Sequence, residues 1–375
     1  MTSLADLSRD LAALAADDTA WTARHQFRDR LAGLVHELDP ATVGVGERPA
    51  TTPVPVYRCG PAGHVPLEHD VEWSPSFVEL VRPAHVVMLA DWGPGAAGPA
   101  AVSPMAITAP FRVLSDEGVH HLQNIATELE LRPRLLAGGR VPRHSRGAIY
   151  RSSFLRGLHT DPTILDFLSG LAGIGLDAHP NGHHASHFNF APSDLGQSVD
   201  AWHTDVTPFD AVLQVFDTAG MRGGQFEYFA GPVEEGRALL ESGAGLPPDR
   251  VIAPAFPGAG WMVLQQGPRV LHHAAALEAP WRRCTYVPSF MAHHPTIDDP
   301  DSLAMLVTID GPDVGPVEFA RHRAVIAARR LADAAASGDR TVVAAVVARQ
   351  RGDLEAVLDG LDRPIAEPLV DFGEG

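Results

Sequence analysis

The stretch AWHTDVTPFDAVLQVF, residues 201 to 216, places a His-x-Asp tripeptide directly before an apolar run. The strand-like segment HFNFAP, residues 187 to 192, precedes it. Residues two apart in an extended chain point to the same face, so the imidazole of His203 and the carboxylate of Asp205 would lie close together. A nitrogen ligand and an oxygen ligand arranged in this way favour half of a metal site beside a strand.

The same tripeptide occurs again in LHTDPTILDF, residues 158 to 167, where its surroundings differ. Asp161 precedes Pro162, and apolar residues follow in a run that suits a helix. An aspartate at the N-cap with a proline at the first helical position is a common helix start. We therefore expect His159 and Asp161 to have a structural role.

Beyond residue 185 the sequence breaks into short apolar and aromatic segments bounded by glycine and proline turns. Such a pattern is typical of an antiparallel sandwich or barrel. The predicted strands lie in ASHFNFAP, FDAVLQVFD, GGQFEYFAG, RVIAPAF, GWMVLQQ, RVLHHAAAL and RCTYVPSFM.

Helical patterns flank this β region on both sides. Ser115 with an acidic first turn marks a helix start, and Ala/Arg-rich helices follow residue 315. The sequence therefore predicts an α+β protein in three parts. These are an N-terminal helical and short-strand extension over 1–104, a β core over 105–315 and a C-terminal helical extension over 316–375.

The composition narrows the classes of partner. The chain has 375 residues, is 45% hydrophobic and carries a net charge of −17. The acidic balance argues against nucleic acid and against an anionic membrane, because both need a positive surface. Cys59 and Cys284 cannot form a disulfide framework, and no signal peptide or membrane span is evident. We expect a cytoplasmic protein that acts on a small molecule, with an oligomer possible through the C-terminal helices.

A third candidate ligand lies in the strand-like run GPRVLHHAAAL, residues 267 to 277. Either His272 or His273 can complete a set of two histidines and one carboxylate with His203 and Asp205. This facial triad leaves open coordination positions and is diagnostic of non-heme Fe(II) oxygen chemistry.

Arg283 and Thr285 follow in the pattern Arg-x-Thr, ten or more residues after the third ligand. A guanidinium pairs with a carboxylate through two parallel hydrogen bonds. A hydroxyl two residues along a strand faces the same way. The pair therefore predicts a receptor for the far carboxylate of a dicarboxylic acid.

Taken together, these motifs resemble the Fe(II)/2-oxoglutarate-dependent oxygenases, and most of all their phytanoyl-hydroxylase-like branch. The resemblance rests on HTD at 203–205, GGQFEYFAG at 223–231, VLHHAAAL at 270–277 and RCTYVPSF at 283–290. It covers roughly residues 105 to 295. It implies a double-stranded β-helix, that is, a jelly-roll or cupin-like core.

The resemblance also implies the roles of the site residues. His203, Asp205 and His272 would bind Fe(II), with His272 preferred over His273 because VLH-x4-L looks more like the distal-ligand strand of the family. Arg283 and Thr285 would hold 2-oxoglutarate, and Asn189 in HFNF could touch the co-substrate or the substrate. With O₂, such an enzyme hydroxylates or otherwise oxidises a C–H bond of a small molecule such as an amino acid or secondary metabolite. Succinate and CO₂ are released, and a carboxylate at Asp205 argues against halogenation.

Two alternative functions are compatible with the same fold. A cupin-like metal enzyme without 2-oxoglutarate, such as an isomerase or dioxygenase, would need the metal ligands but not Arg283 and Thr285. A binding protein would need none of these residues. The arginine-containing segment 140–156 could cover the site as a lid, although a solvated loop explains it as well.

Overall fold

The structure is a computed structural model, and it describes residues 65–98, 101–131, 134–135, 141–292 and 303–362. The helix expected within residues 1–38, the loop at 39–55 and Cys59 lie outside the described residues. Among the described residues, no helix combines the length and the apolarity needed to cross a membrane.

The described part of the chain mixes helices with antiparallel sheets. Its helices are α1 (Asp116–Glu130), α2 (Ser153–Thr160), α3 (Pro162–Ala172), α4 (Gly182–Ala185), α5 (Val233–Glu241), α6 (Leu303–Asp310), α7 (Gly315–Ser337) and α8 (Arg340–Asp362). Its strands are β1 (Val86–Met88), β2 (Met105–Thr108), β3 (Phe111–Arg112), β4 (Arg134–Leu135), β5 (Arg143–Arg146), β6 (Leu176–Ala178), β7 (His187–Phe190), β8 (Ser198–His203), β9 (Phe209–Gln214), β10 (Phe226–Phe229), β11 (Val251–Ile252), β12 (Trp261–Gln265), β13 (His272–Ala276), β14 (Cys284–Val287) and β15 (Ser289–Ala292).

The strands form two antiparallel sheets. The larger sheet runs in the order β1-β2-β12-β9-β14-β7-β5-β4, with β3, β6 and β15 paired off this path. The smaller sheet runs β11-β10-β13-β8. Each of the seven segments predicted to hold a strand contains one, which confirms the β region of the sequence prediction. Strand β1 pairs with β2, so the larger sheet reaches across residue 104.

The helices before the β region begin where the local sequence predicts. The Ser115 hydroxyl accepts a hydrogen bond from the Gly118 N–H and caps α1. The Asp161 carboxylate accepts from the Thr163 N–H at 2.8 Å, with Pro162 at the first position of α3. Its other oxygen accepts from the Trp73 indole at 2.8 Å. Asp161 therefore has the structural role that the second HTD tripeptide suggested.

Helices α1 to α3 pack on the larger sheet through apolar side chains at helical spacing. Leu122, Ile125 and Leu129 of α1 are buried in one cluster with Phe154 of α2 and Leu168 of α3. Fully burying side chains of this size contributes about 1.5–3 kcal/mol each. This cluster fixes the sheet whose inner strands carry part of the functional site.

Helix α7 docks on the core through buried polar contacts as well as buried apolar side chains. Glu318 is fully buried and accepts from the Tyr150 hydroxyl at 2.7 Å. His322 stacks on His179 with ring centroids 4.4 Å apart, and burial holds the pKa of His322 well below its usual range. The C-terminal helices thus belong to the same folded body as the sheets.

Helix α8 packs along α7 and leaves large apolar side chains exposed. Val342, Val347 and Leu358 are 42%, 48% and 61% exposed. The oligomer expected through these helices stays a prediction, as do the domain limits at residues 104 and 315.

Candidate metal centre

The two sheets bring three of the predicted ligands together. His203 ends β8 and His272 begins β13, and the two residues are direct partners in the smaller sheet. Asp205 lies in the turn that follows β8, with its Oδ1 3.4 Å from His203 Nε2 and its Oδ2 3.3 Å from His272 Nε2. One ligand atom from each residue falls within 4.8 Å of the others. This cluster has the spacing and chemistry to hold one metal ion.

The backbone fixes which nitrogen of each imidazole faces Asp205. His203 Nδ1 lies 2.7 Å from the carbonyl of Ala201, and His272 Nδ1 lies 3.0 Å from the carbonyl of Val270. A carbonyl can only accept, so each Nδ1 carries the proton and each Nε2 is left as the lone-pair donor. Hydrogen bonds of this kind orient metal-binding histidines.

The carboxylate of Asp205 stays ionised. Burial alone would raise the pKa of Asp205, but without a metal the charge and the Nε2–H donors of protonated His203 and His272 hold it well below its usual range. An ionised carboxylate between two imidazole Nε2 atoms is the form that binds a divalent cation.

A glycine behind the triad allows the turn that carries Asp205. The Asp205 N–H donates to the carbonyl of Gly267 at 3.1 Å. A Cβ at position 267 would lie 2.4 Å from the Thr207 carbonyl oxygen and 3.0 Å from Asp205 Cβ. Any side chain there would push on the ligand turn, so this position requires glycine.

Arg283 is a buried cation in the same pocket. Its side chain is enclosed, and the pocket it lines also contains His203, Asp205 and His272. Its guanidinium donates to the Gly224 carbonyl at 3.0 Å and to Thr285 Oγ1 at 3.3 Å, and both acceptors are neutral. No carboxylate among the described residues forms an ion pair with it, and Asp200, which lines the same pocket, acts on it only at longer range. Burial accordingly lowers the pKa of Arg283 to about 10.

Asn189 and Thr285 stand beside Arg283. They are direct partners in the pairing of β7 with β14, and both line the pocket. The Asn189 side-chain oxygen is buried and meets no hydrogen-bond donor within the described part of the chain. The structure therefore groups Arg283, Thr285 and Asn189 on the larger sheet, whereas the two histidines lie on the smaller sheet.

His273 turns away from the triad. Its Nε2 lies 2.8 Å from Glu227 Oε2, and its ring stacks on Trp202 with centroids 3.8 Å apart. Of the two adjacent histidines, His272 is the one that the structure places with His203 and Asp205. This contact occupies Glu227.

Two residues of the site were not predicted from the sequence. Asp200 lines the pocket, with its Oδ1 3.5 Å from His203 Nδ1. A bulge brings it there. From the pair His203–His272 to the pair Asp200–Ala274, β8 advances by three residues while β13 advances by only two. Gln265, at the end of β12, places its amide 3.3 Å from Asp205 Oδ2. Neither residue belongs to a local motif.

The lid suggested for residues 140–156 finds no support in the contacts of its arginines. Arg143 pairs with Glu130 at 3.1 Å and Arg146 with Asp310 at 2.8 Å. Arg151 donates to the carbonyl of Val65. These side chains hold the surrounding elements together.

The sequence was compared with known proteins. No protein-family model and no curated protein matches it. Solved structures that resemble it include the non-heme alpha-ketoglutarate-dependent epimerase SnoN from nogalamycin biosynthesis, at 18% identity and a TM-score of 0.36, over 48% of this chain and 75% of that one. EctD from S. alaskensis with bound Fe matches at 17% identity and 0.36, over 48% and 70%. The carbocyclase SnoK from nogalamycin biosynthesis matches at 16% and 0.38, over 56% and 88%. Because these similarities are remote, the function has to be argued from the geometry of the site.

Proposed function

We propose that this protein is an Fe(II)/2-oxoglutarate-dependent dioxygenase of the phytanoyl-hydroxylase-like branch, acting on a C–H bond of a small molecule. Its two sheets would then form the double-stranded β-helix of that family. One observation carries the proposal: a buried arginine that forms no ion pair with any described residue shares a pocket with a His-Asp-His cluster.

The donor set suits Fe(II). His203, Asp205 and His272 supply two neutral nitrogens and one carboxylate, which is the facial set of non-heme iron oxygenases. When bound, Fe(II) together with 2-oxoglutarate and O₂ would oxidise an unactivated C–H bond, with release of succinate and CO₂. The protein's own task is to hold three ligands and leave the remaining positions to small molecules.

Arg283 supports the proposal that the co-substrate is a dicarboxylic acid. A buried charge is costly unless an opposite charge and hydrogen bonds compensate it. The hydrogen-bond acceptors that the protein offers Arg283 are neutral, and Asp200 acts on it only at longer range, so a bound anion would supply the close opposite charge that these groups do not. A carboxylate on Arg283 and Thr285, with the metal cluster lining the same pocket, fits an acid that carries a second chelating end.

The remaining walls favour an organic substrate. Val212, Phe226 and Val287 line the pocket next to the polar groups, and Phe226 lies 5.5 Å from the His272 ring, centroid to centroid. Small-molecule sites combine apolar surface with polar groups that fix the orientation of the ligand, and this pocket has both. Hydroxylation is the outcome we propose.

A cupin-like enzyme that does not use 2-oxoglutarate is disfavoured by the same arginine. Such an enzyme would bear the cost of burying Arg283 without gaining from it. The two proposals differ in what Arg283→Leu would do.

The test is 2-oxoglutarate consumption, measured as succinate released under air with Fe(II) and a panel of small molecules. The proposal predicts release in the wild type and at least a hundredfold less in His203→Ala and Arg283→Leu. Equal binding of the metal by the wild type and Arg283→Leu would show that the arginine variant still has its metal site. Activity on a substrate that survives Arg283→Leu and needs no 2-oxoglutarate would overturn the proposal in favour of the cupin-like enzyme.

A further inference from the structure

Gln265 is a fully buried amide that reaches the metal ligands from β12. Its Nε2 lies 3.3 Å from Asp205 Oδ2 and 3.1 Å from His272 Nε2. We infer that Gln265 is a positioning residue of the metal centre, which fixes the rotation of the Asp205 carboxylate and keeps the number of protein ligands at three. The inference rests on the proposed metal-binding function.

The orientation of the amide follows from its neighbours. A carboxylate oxygen can only accept, so the NH₂ end of Gln265 must face Asp205 Oδ2, since the reverse orientation would oppose two acceptors. The hydrogen bond occupies one oxygen of Asp205 and leaves the other, Oδ1, beside His203 Nε2, whereas the contact of the amide with His272 Nε2 is one that a bound metal would replace. Carboxylate ligands in metal sites are commonly held by such a donor.

The far end of the same side chain argues against a purely structural role. Gln265 Oε1 is buried and meets no hydrogen-bond donor among the residues that the structure describes. An unsatisfied buried acceptor is destabilising, and an apolar side chain of similar size would avoid that cost. A residue that costs stability while touching two metal ligands is better explained by the site than by the fold.

The neutrality of the side chain matters as much as its reach. A carboxylate at position 265 would stand beside Asp205 and His272 as a fourth possible ligand. It would compete for a position that a chelating co-substrate needs. Glutamine provides the hydrogen-bond donor without that competition, because an amide NH₂ is not a metal ligand.

The experiment compares Gln265→Leu, Gln265→Glu and the wild type as purified full-length proteins. Gln214→Leu is the matched control, since Gln214 is also a buried amide with an oxygen that lacks a donor within the described residues, but no contact joins it to the triad. Two quantities are measured: the melting temperature of the metal-free protein, and anaerobic Fe(II) affinity with and without 2-oxoglutarate.

We expect metal-free Gln265→Leu to melt at or above the wild-type temperature and to bind Fe(II) roughly 10- to 100-fold more weakly, the usual loss when a partner of a metal ligand is removed. Gln265→Glu should bind Fe(II) more tightly than Gln265→Leu but fail to form the visible Fe(II)–2-oxoglutarate band. Gln214→Leu should bind Fe(II) like the wild type.

Fe(II) affinity in Gln265→Leu within twofold of the wild type would overturn the positioning role, and a wild-type band in Gln265→Glu would overturn the argument from neutrality. In both cases the wild type still binds Fe(II), so the proposed function stands. A wild type that binds no Fe(II) would instead refute the proposed function and the inference with it.

Discussion

Replacing Arg283 with leucine separates a binding role from a structural role. The pKa of Arg283 falls from 12.5 to about 10 through burial, which corresponds to about 3 kcal/mol of unfavourable desolvation. The substitution removes that cost together with hydrogen bonds to neutral acceptors, each worth about 0.5–1.5 kcal/mol. The two effects nearly cancel, so the free energy of unfolding of the ligand-free protein should change by about 1 kcal/mol or less.

The same substitution should greatly weaken 2-oxoglutarate binding. Loss of one partner of a buried, hydrogen-bonded charge pair costs about 2–5 kcal/mol. At about 1.4 kcal/mol per tenfold, this predicts roughly 30- to 5,000-fold weaker binding. Anaerobic calorimetry of 2-oxoglutarate binding to the Fe(II)-loaded protein measures the affinity, and urea denaturation measures the stability.

Arg146 provides the control, because it is a largely enclosed arginine, with its side chain 9% exposed, that does have an acidic partner. It pairs with Asp310, whose side chain is fully enclosed, at 2.8 Å. Arg146→Leu removes a close cationic partner of that buried carboxylate and should cost about 3–5 kcal/mol of unfolding free energy, with 2-oxoglutarate affinity within threefold of the wild type. The reasoning is refuted if Arg283→Leu loses as much stability as Arg146→Leu while it binds 2-oxoglutarate normally.

Three further predictions test the metal centre and its surroundings. His272→Ala should lose Fe(II) binding in an anaerobic titration, whereas His273→Ala should retain an affinity within threefold of the wild type. Gly267→Ala should weaken Fe(II) binding at least tenfold through the close contacts of its Cβ, whereas Gly258→Ala, which meets nothing within 4 Å, should not; the same titration decides. His159 is buried with its pKa lowered to about 3, so the unfolded chain binds more protons between about pH 3 and 6.5 and stability falls with falling pH. Urea denaturation from pH 6.5 to 5.5 should show about 1 kcal/mol less loss in His159→Gln than in the wild type.

Local signals predicted much of the fold. Helix α1 starts at the cap given by Ser115, and α3 starts at Asp161 and Pro162. Each of these depends on a hydrogen bond between near neighbours in the chain, which the sequence displays directly. The short strands were recognisable for the same reason, because glycine and proline turns bound them.

The pairing between strands was harder to predict from the sequence. The sequence suggested an extended His203–Asp205 unit, but β8 ends at His203 and Asp205 lies in the following turn, held by the carbonyl of Gly267. Asp200 reaches the pocket only because β8 bulges against β13. Register and bulges depend on contacts between distant segments, so no local pattern displays them.

The candidate site likewise contains residues that the sequence predicted and residues that it did not. The pattern of His203, Asp205, His272, Arg283 and Thr285 was recognisable from residue types and order, and the structure places these side chains in one pocket. Gln265 could not be found this way, because an amide in the apolar run WMVLQQ differs little from an ordinary strand end until its distance to Asp205 is known. The occupation of His273 by Glu227 was likewise hidden, since 46 residues separate them.

The most direct test of the central claim is an anaerobic titration of the metal-free protein with Fe(II) and 2-oxoglutarate, followed by visible absorption. The account predicts a weak charge-transfer band that saturates at one equivalent of each component and is absent in His203→Ala. Fe(II) binding without such a band would contradict the assignment of 2-oxoglutarate to Arg283, and failure to bind Fe(II) would contradict the metal centre itself.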